Sequence, residues 1–384
     1  LWMCIGMKQH RARRDLNPLV QETSYPQPPH HTICRWRNPT MERTPHDSHK
    51  LEPLTPSEGL KMFLSEKQDD LASSTLRSYR RRINHFIQYC DERDINNLNN
   101  VTGRVLFQFR THRRDEGNLA KPSLKTQLTA IRSFIKFAER IDACQDGLHR
   151  DVVLPSMNPG ENVRDNIIAI EEAEQILEYL DTFHYASYRH ALFSAAWETH
   201  LRTGTLHSLD TEDLLEEEQA LRIEHRPNTG TRLKNGHRAN RVIALSSNLT
   251  NILKDYMKHE RPSVSDKHGR SPLFASQQGR MSKSNLRQTC YAVTRPCFYT
   301  DQCPAGRKIK ECSATRYEEA TSCPDSESLH AVRRGGITYR LSEDVPIGVV
   351  SDRGDVTRRV LEQHYDARDE MTRMAQRRQH LNLD

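Results

Sequence analysis

From Ser73 onward apolar side chains return every three or four residues, at Leu76, Tyr79, Ile83, Phe86 and Cys90. After Pro122 they do so again, at Leu124, Leu128, Ile131 and Ile135. That period is the pitch of an α-helix with one buried face, so this part of the chain satisfies itself by packing helix on helix. Thr55-Pro56-Ser57-Glu58 has the cap residue and early proline that open a further helix. A third helical pattern covers about 102–114 and stops at Gly117-Asn118. Four short amphipathic helices over 56–155 make one small bundle. Two of them carry basic stripes beside the apolar face, Arg77, Arg80 and Arg81 on one and Lys125, Arg132 and Lys136 on the other. A solvated helix face explains such stripes as well as a bound anion does.

The residues flanking this bundle behave differently. The first 55 hold seven of the chain's 18 prolines and no apolar period, which reads as a disordered or mis-assigned upstream segment with Met41 as a candidate start. Residues 156–166, with Pro159, Gly160 and Asn162, have turn chemistry and read as a linker. With Lys plus Arg at 57 against Asp plus Glu at 51, the net charge is +6, and its bunching on helices favours nucleic acid as partner. No apolar run reaches the roughly 18 residues that a membrane span needs, so no membrane partner is expected. Nine scattered cysteines do not form a secreted disulfide framework, and the expected setting is the reducing cytoplasm.

Residues 167–380 form a larger, mostly α domain. Helices are expected over 171–183, 188–200, 247–260, 283–295, 328–342, 345–352 and 357–365. A strand pair, Ala220–Ile223 and Arg241–Leu245, flanks a basic, turn-rich connection. Five residues in this domain form a candidate phosphate-chemistry set. Arg202 stands where an apolar helix gives way to a turn, and Lys234 lies in the strand connection. His330 and Arg333 are spaced i, i+3 on one helix, and Tyr365 closes another.

The order Arg202, Lys234, His330-x-x-Arg333, Tyr365 resembles the catalytic set of the tyrosine recombinases, the phage integrase family. The 32-residue step from Arg333 to Tyr365 fits that family. The phrases His225-Arg226-Pro227, Leu233-Lys234-Asn235 and Pro324 to Arg334 look most like integrases of archaeal genomes. The resemblance implies a helical core-binding (SAM-like) domain followed by the catalytic domain, the two clamping double-stranded DNA, with a homotetramer assembled on two sites and a nucleoid-associated location. It implies a site-specific recombinase that cuts and rejoins DNA through a 3′-phosphotyrosyl link and needs no cofactor for the chemistry. Arg202 and Arg333 would clamp the phosphate, Lys234 would protonate the leaving 5′-oxygen, His330 would assist proton transfer and Tyr365 would be the nucleophile. The basic stripes on the first domain become DNA-binding candidates.

Two positions depart from the family pattern. Thr205 stands where an acid usually follows the first arginine, and Val356 stands where a His or Trp usually precedes the nucleophile by nine residues. These departures favour the alternative of a DNA-binding protein that keeps the fold but no longer cuts. A type IB topoisomerase shares the residue set, but the short length and small first bundle argue against it. Arg202 and Arg333 are also 131 residues apart, a long span for the family. The surplus is a cysteine-rich insertion over 296–326 bearing Cys297, Cys303, Cys312 and Cys323. Four thiolates on a polar loop suffice for a tetrahedral structural zinc site, and free thiols are the other reading.

Overall fold

The computed structural model describes residues 50–158, 166–366 and 368–380. Met41 and nearly all of the expected upstream segment lie outside the described residues, as does most of the expected linker. The chain divides between Leu154 and Pro155 into two units, each described by itself.

The first unit holds α1 (Pro56–Glu66), α2 (Ser73–Asp91), α3 (Gly103–Asp115) and α4 (Lys121–Arg140). Thr55 caps α1 in a reciprocal capping box with Glu58, and Asn118 takes the left-handed turn just beyond α3 with φ 43°. The apolar faces meet in a core of Phe63, Ile83, Phe86, Phe109, Leu128, Ile131 and Phe134. Its rings pack edge to face, Phe63 on Phe134 at 5.9 Å and Phe86 on Phe109 at 5.1 Å. Each buried ring contributes about 2–3 kcal/mol, so the bundle is held by its apolar stripes rather than by its polar caps.

The second unit is built around α6 (Tyr188–Thr199), whose Leu192, Phe193, Ala195 and Ala196 are buried. Around it lie α5 (Ile170–Phe183), α7 (Thr203–Ser208), α8 (Ser247–Asp255), α9 (Lys283–Val293), α10 (Pro296–Tyr299) and α11 (Leu329–Ser342). The chain then turns through α12 (Ile347–Gly354), α13 (Arg358–His364) and α14 (Glu370–His380). The expected strand pair is present as β2 (Ala220–Ile223) and β3 (Arg241–Ala244), antiparallel with Leu221 opposite Ile243. A short β1 (Leu214–Leu215) adds to its edge, and β4 (Ala275–Ser276) pairs β5 (Gly279–Arg280) as a separate hairpin. Two residues per strand is too short for a period to show in sequence. The helix expected over 247–260 ends as α-helix at Asp255 and widens into a π turn over Tyr256–Glu260.

One close approach sets the geometry of this unit. A Cβ on Gly336 would lie 2.5 Å from the Trp197 carbonyl oxygen and 2.7 Å from His200 Nδ1, and one on Gly335 would lie 2.6 Å from Ile168. The glycine pair therefore lets α11 pack directly against the C-terminal end of α6. His200 closes α6 in the left-handed region, φ 53°, and turns the chain into Leu201 and Arg202.

Candidate active site

The five residues singled out in the second unit arrive from four places. Arg202 precedes α7 as its N-cap residue, and Arg333 lies on α11 with 2% of its surface exposed. His330, one turn earlier on α11, is exposed. Tyr365 follows α13 and is buried, not partly exposed as a nucleophile at a surface site would be. Lys234 is exposed in the connection between β2 and β3, which is not a plain hairpin loop but carries two 3-10 turns, Pro227–Thr229 and Gly236–Ala239.

Three of the five meet directly. The His330 ring stands edge-on to the Tyr365 ring at 5.6 Å. The Arg333 guanidinium lies 5.2 Å from the centre of the same ring. It also donates through Nη1 to the His200 carbonyl and through Nη2 to the Gly354 carbonyl, 2.9 Å away. Its buried Nε has no partner. Burial pulls this guanidinium down to about 10, still charged at neutral pH. The tyrosine is seated in a small apolar cluster of Ile337, Leu341, Val350, Val356 and Leu361, and its carbonyl accepts from Thr338 Oγ1 at 2.8 Å.

The other two are tied in through a residue that sequence reasoning passed over. Asp355 sits in the left-handed region, φ 51° and ψ 53°. Its carboxylate pairs with Arg202 Nη1 at 2.5 Å and accepts from Asn235 Nδ2 at 2.9 Å. Asn235 directly follows Lys234, so this bond tethers the lysine's connection to the first arginine. Among the described residues no hydrogen bond or ion pair joins the Lys234 side chain to the set.

The stretch Arg353-Gly354-Asp355 organises the whole site. The Arg353 carbonyl accepts from Arg241 Nε at 3.1 Å and Nη2 at 3.0 Å. The Gly354 carbonyl accepts from Arg333, and the Asp355 carbonyl and carboxylate accept from Arg202. Burial lowers Arg241, Asp355 raises it, and Arg202 and Arg353 lower it again, which sets these groups in one electrostatic neighbourhood. The guanidiniums of Arg202, Arg241 and Arg333 meet on this stretch, and among the described residues only Arg202 of the three is paired with a carboxylate, which leaves a surplus of positive charge and a site suited to an anion. A single Asp and a Gly before a helical run give no warning of this in sequence. The nearest signal is that Asp tolerates the left-handed conformation better than most residues.

At the two positions that depart from the family pattern, Thr205 is buried in α7 and Val356 is buried in the tyrosine's apolar cluster. A carboxylate does stand at Arg202, but it comes from Asp355.

In the first unit Arg77, Arg80, Arg81 and Lys136 are exposed and Lys125 is half-buried. Arg132 differs from the expected open stripe, because both its Nε and Nη2 donate to the Val152 carbonyl. Its head is spent on closing the bundle's last loop.

Residues 61–141 match the N-terminal SAM-like domain of phage integrases, and residues 166–295 match the phage integrase family itself, together more than half of the chain. The second match takes in Arg202 and Lys234 and ends before the cysteine-bearing segment. No curated protein matches the chain. Among solved structures, the chain is similar to a transposon Tn1549 integrase in complex with transposon right end DNA, at TM-score 0.57 and 13% identity over 86% of this chain and 100% of that one. It is similar to a lambda integrase fragment, a dimer bound to a core site, at TM-score 0.55 and 12% identity over 78% and 94%. A lambda integrase tetramer bound to a Holliday junction gives TM-score 0.53 and 13% identity over 85% and 78%. Among the described residues no helix is long and apolar enough to cross a membrane.

Proposed function

From membership of the phage integrase family, to which this chain belongs, we infer that it is a site-specific DNA recombinase acting through Tyr365. The observation that carries this reading is the contact of Arg333 and His330 with one tyrosine, beside Arg202 on its Asp355 tether.

In the proposed reaction the Tyr365 oxygen attacks the scissile phosphorus. A tyrosyl–phosphate bond forms, and the bond to the 5′-oxygen breaks. The phenol proton passes to His330, and Lys234 delivers a proton to the leaving 5′-oxygen. One phosphodiester replaces another, so the step reverses readily when a 5′-hydroxyl from a second strand attacks the link. Charge builds on the phosphorane oxygens, where Arg202 and Arg333 supply donors already fixed in place by backbone carbonyls. Lys234 sits on an exposed connection and reaches the site when DNA orders it. Double-stranded DNA is the proposed partner, with the exposed cations of α2 and α4 against its phosphates and four copies acting on two sites.

The second reading, a DNA-binding protein that does not cut, is favoured by Val356, which brings no hydrogen-bond donor to the site. A duplex nicked near the crossover, carrying candidate sites from beside the gene, separates the two. The proposed enzyme accumulates a covalent protein–DNA adduct, because the short 5′-hydroxyl strand diffuses away. Retention of the duplex with no adduct would establish the binder.

A further inference from the structure

Cys297, Cys303, Cys312 and Cys323 are half-buried and in no disulfide, and among the described residues no three such side chains are placed to hold a metal ion. A denser polar cluster lies just beyond α7, at the opposite end of that helix from Arg202. Its Asp210 and Asp213 are 1% and 0% exposed, and a buried carboxylate persists only where it is paired and hydrogen-bonded. Arg270 donates to Asp210 through Nε at 2.7 Å and through Nη2. Arg280 Nη2 donates to the second Asp210 oxygen. Arg226 forks onto Asp213, with Nη1 at 2.9 Å and Nη2 at 2.6 Å. Each of these three guanidiniums faces a carboxylate, so the cluster joins chain segments rather than holding an anion.

What it joins is the connection that carries Lys234. Arg270 Nη1 donates to Thr229 Oγ1 and to Thr231 Oγ1, both at 2.7 Å. Its Nη2 also donates to the carbonyl of Ser208, the last residue of α7, at 3.0 Å. Arg226, held by Asp213 near the start of the connection, pairs with Thr231 as a single antiparallel bridge, the Thr231 N–H donating to the Arg226 carbonyl at 3.1 Å. His225 Nδ1 accepts from the Leu233 N–H at 2.9 Å. The base of the connection is therefore fixed. Thr231 is buried, whereas Lys234, three residues on, is exposed. Three residues span about 10 Å at most, so the clamp at Thr231 limits how far the Lys234 backbone travels from the helix that begins at Arg202.

We propose that Arg270 is a positioning residue for proton delivery to the leaving 5′-oxygen, an inference that rests on the reading of Lys234 as the proton donor. By clamping Thr229 and Thr231 to Asp210 and Ser208, Arg270 holds Lys234 within reach of the scissile phosphate and acts through the lysine alone. A short arm with a fixed base has less freedom to lose when DNA orders it, so the ammonium meets the leaving oxygen at a higher effective concentration.

The test compares two nicked duplexes that differ in one atom, carrying either the ordinary 5′-oxygen or a 5′-bridging sulfur at the scissile phosphate. A thiolate leaves with its electron pair and needs no proton, so cleavage of the sulfur duplex bypasses the lysine. In the full chain, Thr229→Val with Thr231→Val removes the two acceptors and keeps every ion pair of the cluster. This variant should form adduct about tenfold or more slowly than wild type on the oxygen duplex and at the wild-type rate on the sulfur duplex. Thr229→Ser with Thr231→Ser keeps both hydroxyls and should keep the wild-type rate on each. Arg270→Lys retains the charge against Asp210 but lacks the branch that reaches the threonines, and should show the same selective loss as the valine variant. Equal slowing of the valine variant on both duplexes would reduce the threonines to a role in the fold, and wild-type rates on both would mean that Lys234 is placed without the clamp; either result overturns the proposal. Wild-type chain that forms no adduct on either duplex would overturn the recombinase reading itself, and Lys234→Ala slowed equally on both would overturn the lysine's role.

Discussion

Asp355 holds Arg202 through both its carboxylate and its carbonyl, and it takes a left-handed conformation to do so. Asn tolerates the same backbone but carries no charge. Asp355→Asn should therefore preserve the fold while loosening Arg202, slowing adduct formation on a nicked duplex by about tenfold or more with DNA affinity little changed. A wild-type rate would mean that Arg202 is positioned without its carboxylate. At this scale the sequence was legible wherever a residue's type announces its chemistry. Arg202, Arg333, His330 and Tyr365 can be picked out because guanidinium, imidazole and phenol suit phosphate transfer. Asp355 and Asn235 could not, because their parts depend on partners 153 and 120 residues away along the chain. Arg132 shows the converse. Its helical position places it in a basic stripe, and only the fold shows that its head is tied to the Val152 carbonyl.

Helix α11 carries two of the proposed site residues and reaches its place through a glycine. Gly336→Ala would put a methyl group 2.5 Å from the Trp197 carbonyl oxygen, which is backbone and cannot yield as a side chain tip would. The variant should lose about 1–3 kcal/mol of stability. Its adduct formation should fall more than Asp355→Asn, since the shift moves Arg333 and His330 together. Denaturant unfolding of the full chain measures the first effect, and a midpoint equal to wild type would contradict the close packing. The bounds of α11 were readable from its apolar positions and from Ser328. The closeness of its packing was not, because two adjacent glycines inside a helical pattern look like a weakness until the neighbouring helix is known. The short strands β1, β4 and β5 escaped for a different reason, having too few residues to display a period.

Across the whole molecule, DNA binding should be dominated by phosphate contacts and should weaken steeply with salt. Neutralising Lys125 and Lys136 together should make the log–log salt dependence shallower by up to about one unit per lost contact. Arg132→Ala should leave that slope unchanged and instead cost about 1 kcal/mol of stability, since its head serves the fold. An unchanged slope in the lysine variant would return the stripe to a solvated face. The two-part helical organisation was legible because amphipathic periodicity is local. The joining of the candidate set was harder to read, because the segment over 296–326 lengthens the path from Arg202 to Arg333, and the family match itself ends at 295. In the proposed reaction Tyr365 carries the DNA, which is tested most directly by digesting the adduct formed on the nicked duplex and locating the modified residue by mass spectrometry. A nucleotide is expected on Tyr365, and no adduct from Tyr365→Phe while its DNA binding persists. A nucleotide on any other residue, or adduct from Tyr365→Phe at the wild-type rate, would contradict the proposed reaction.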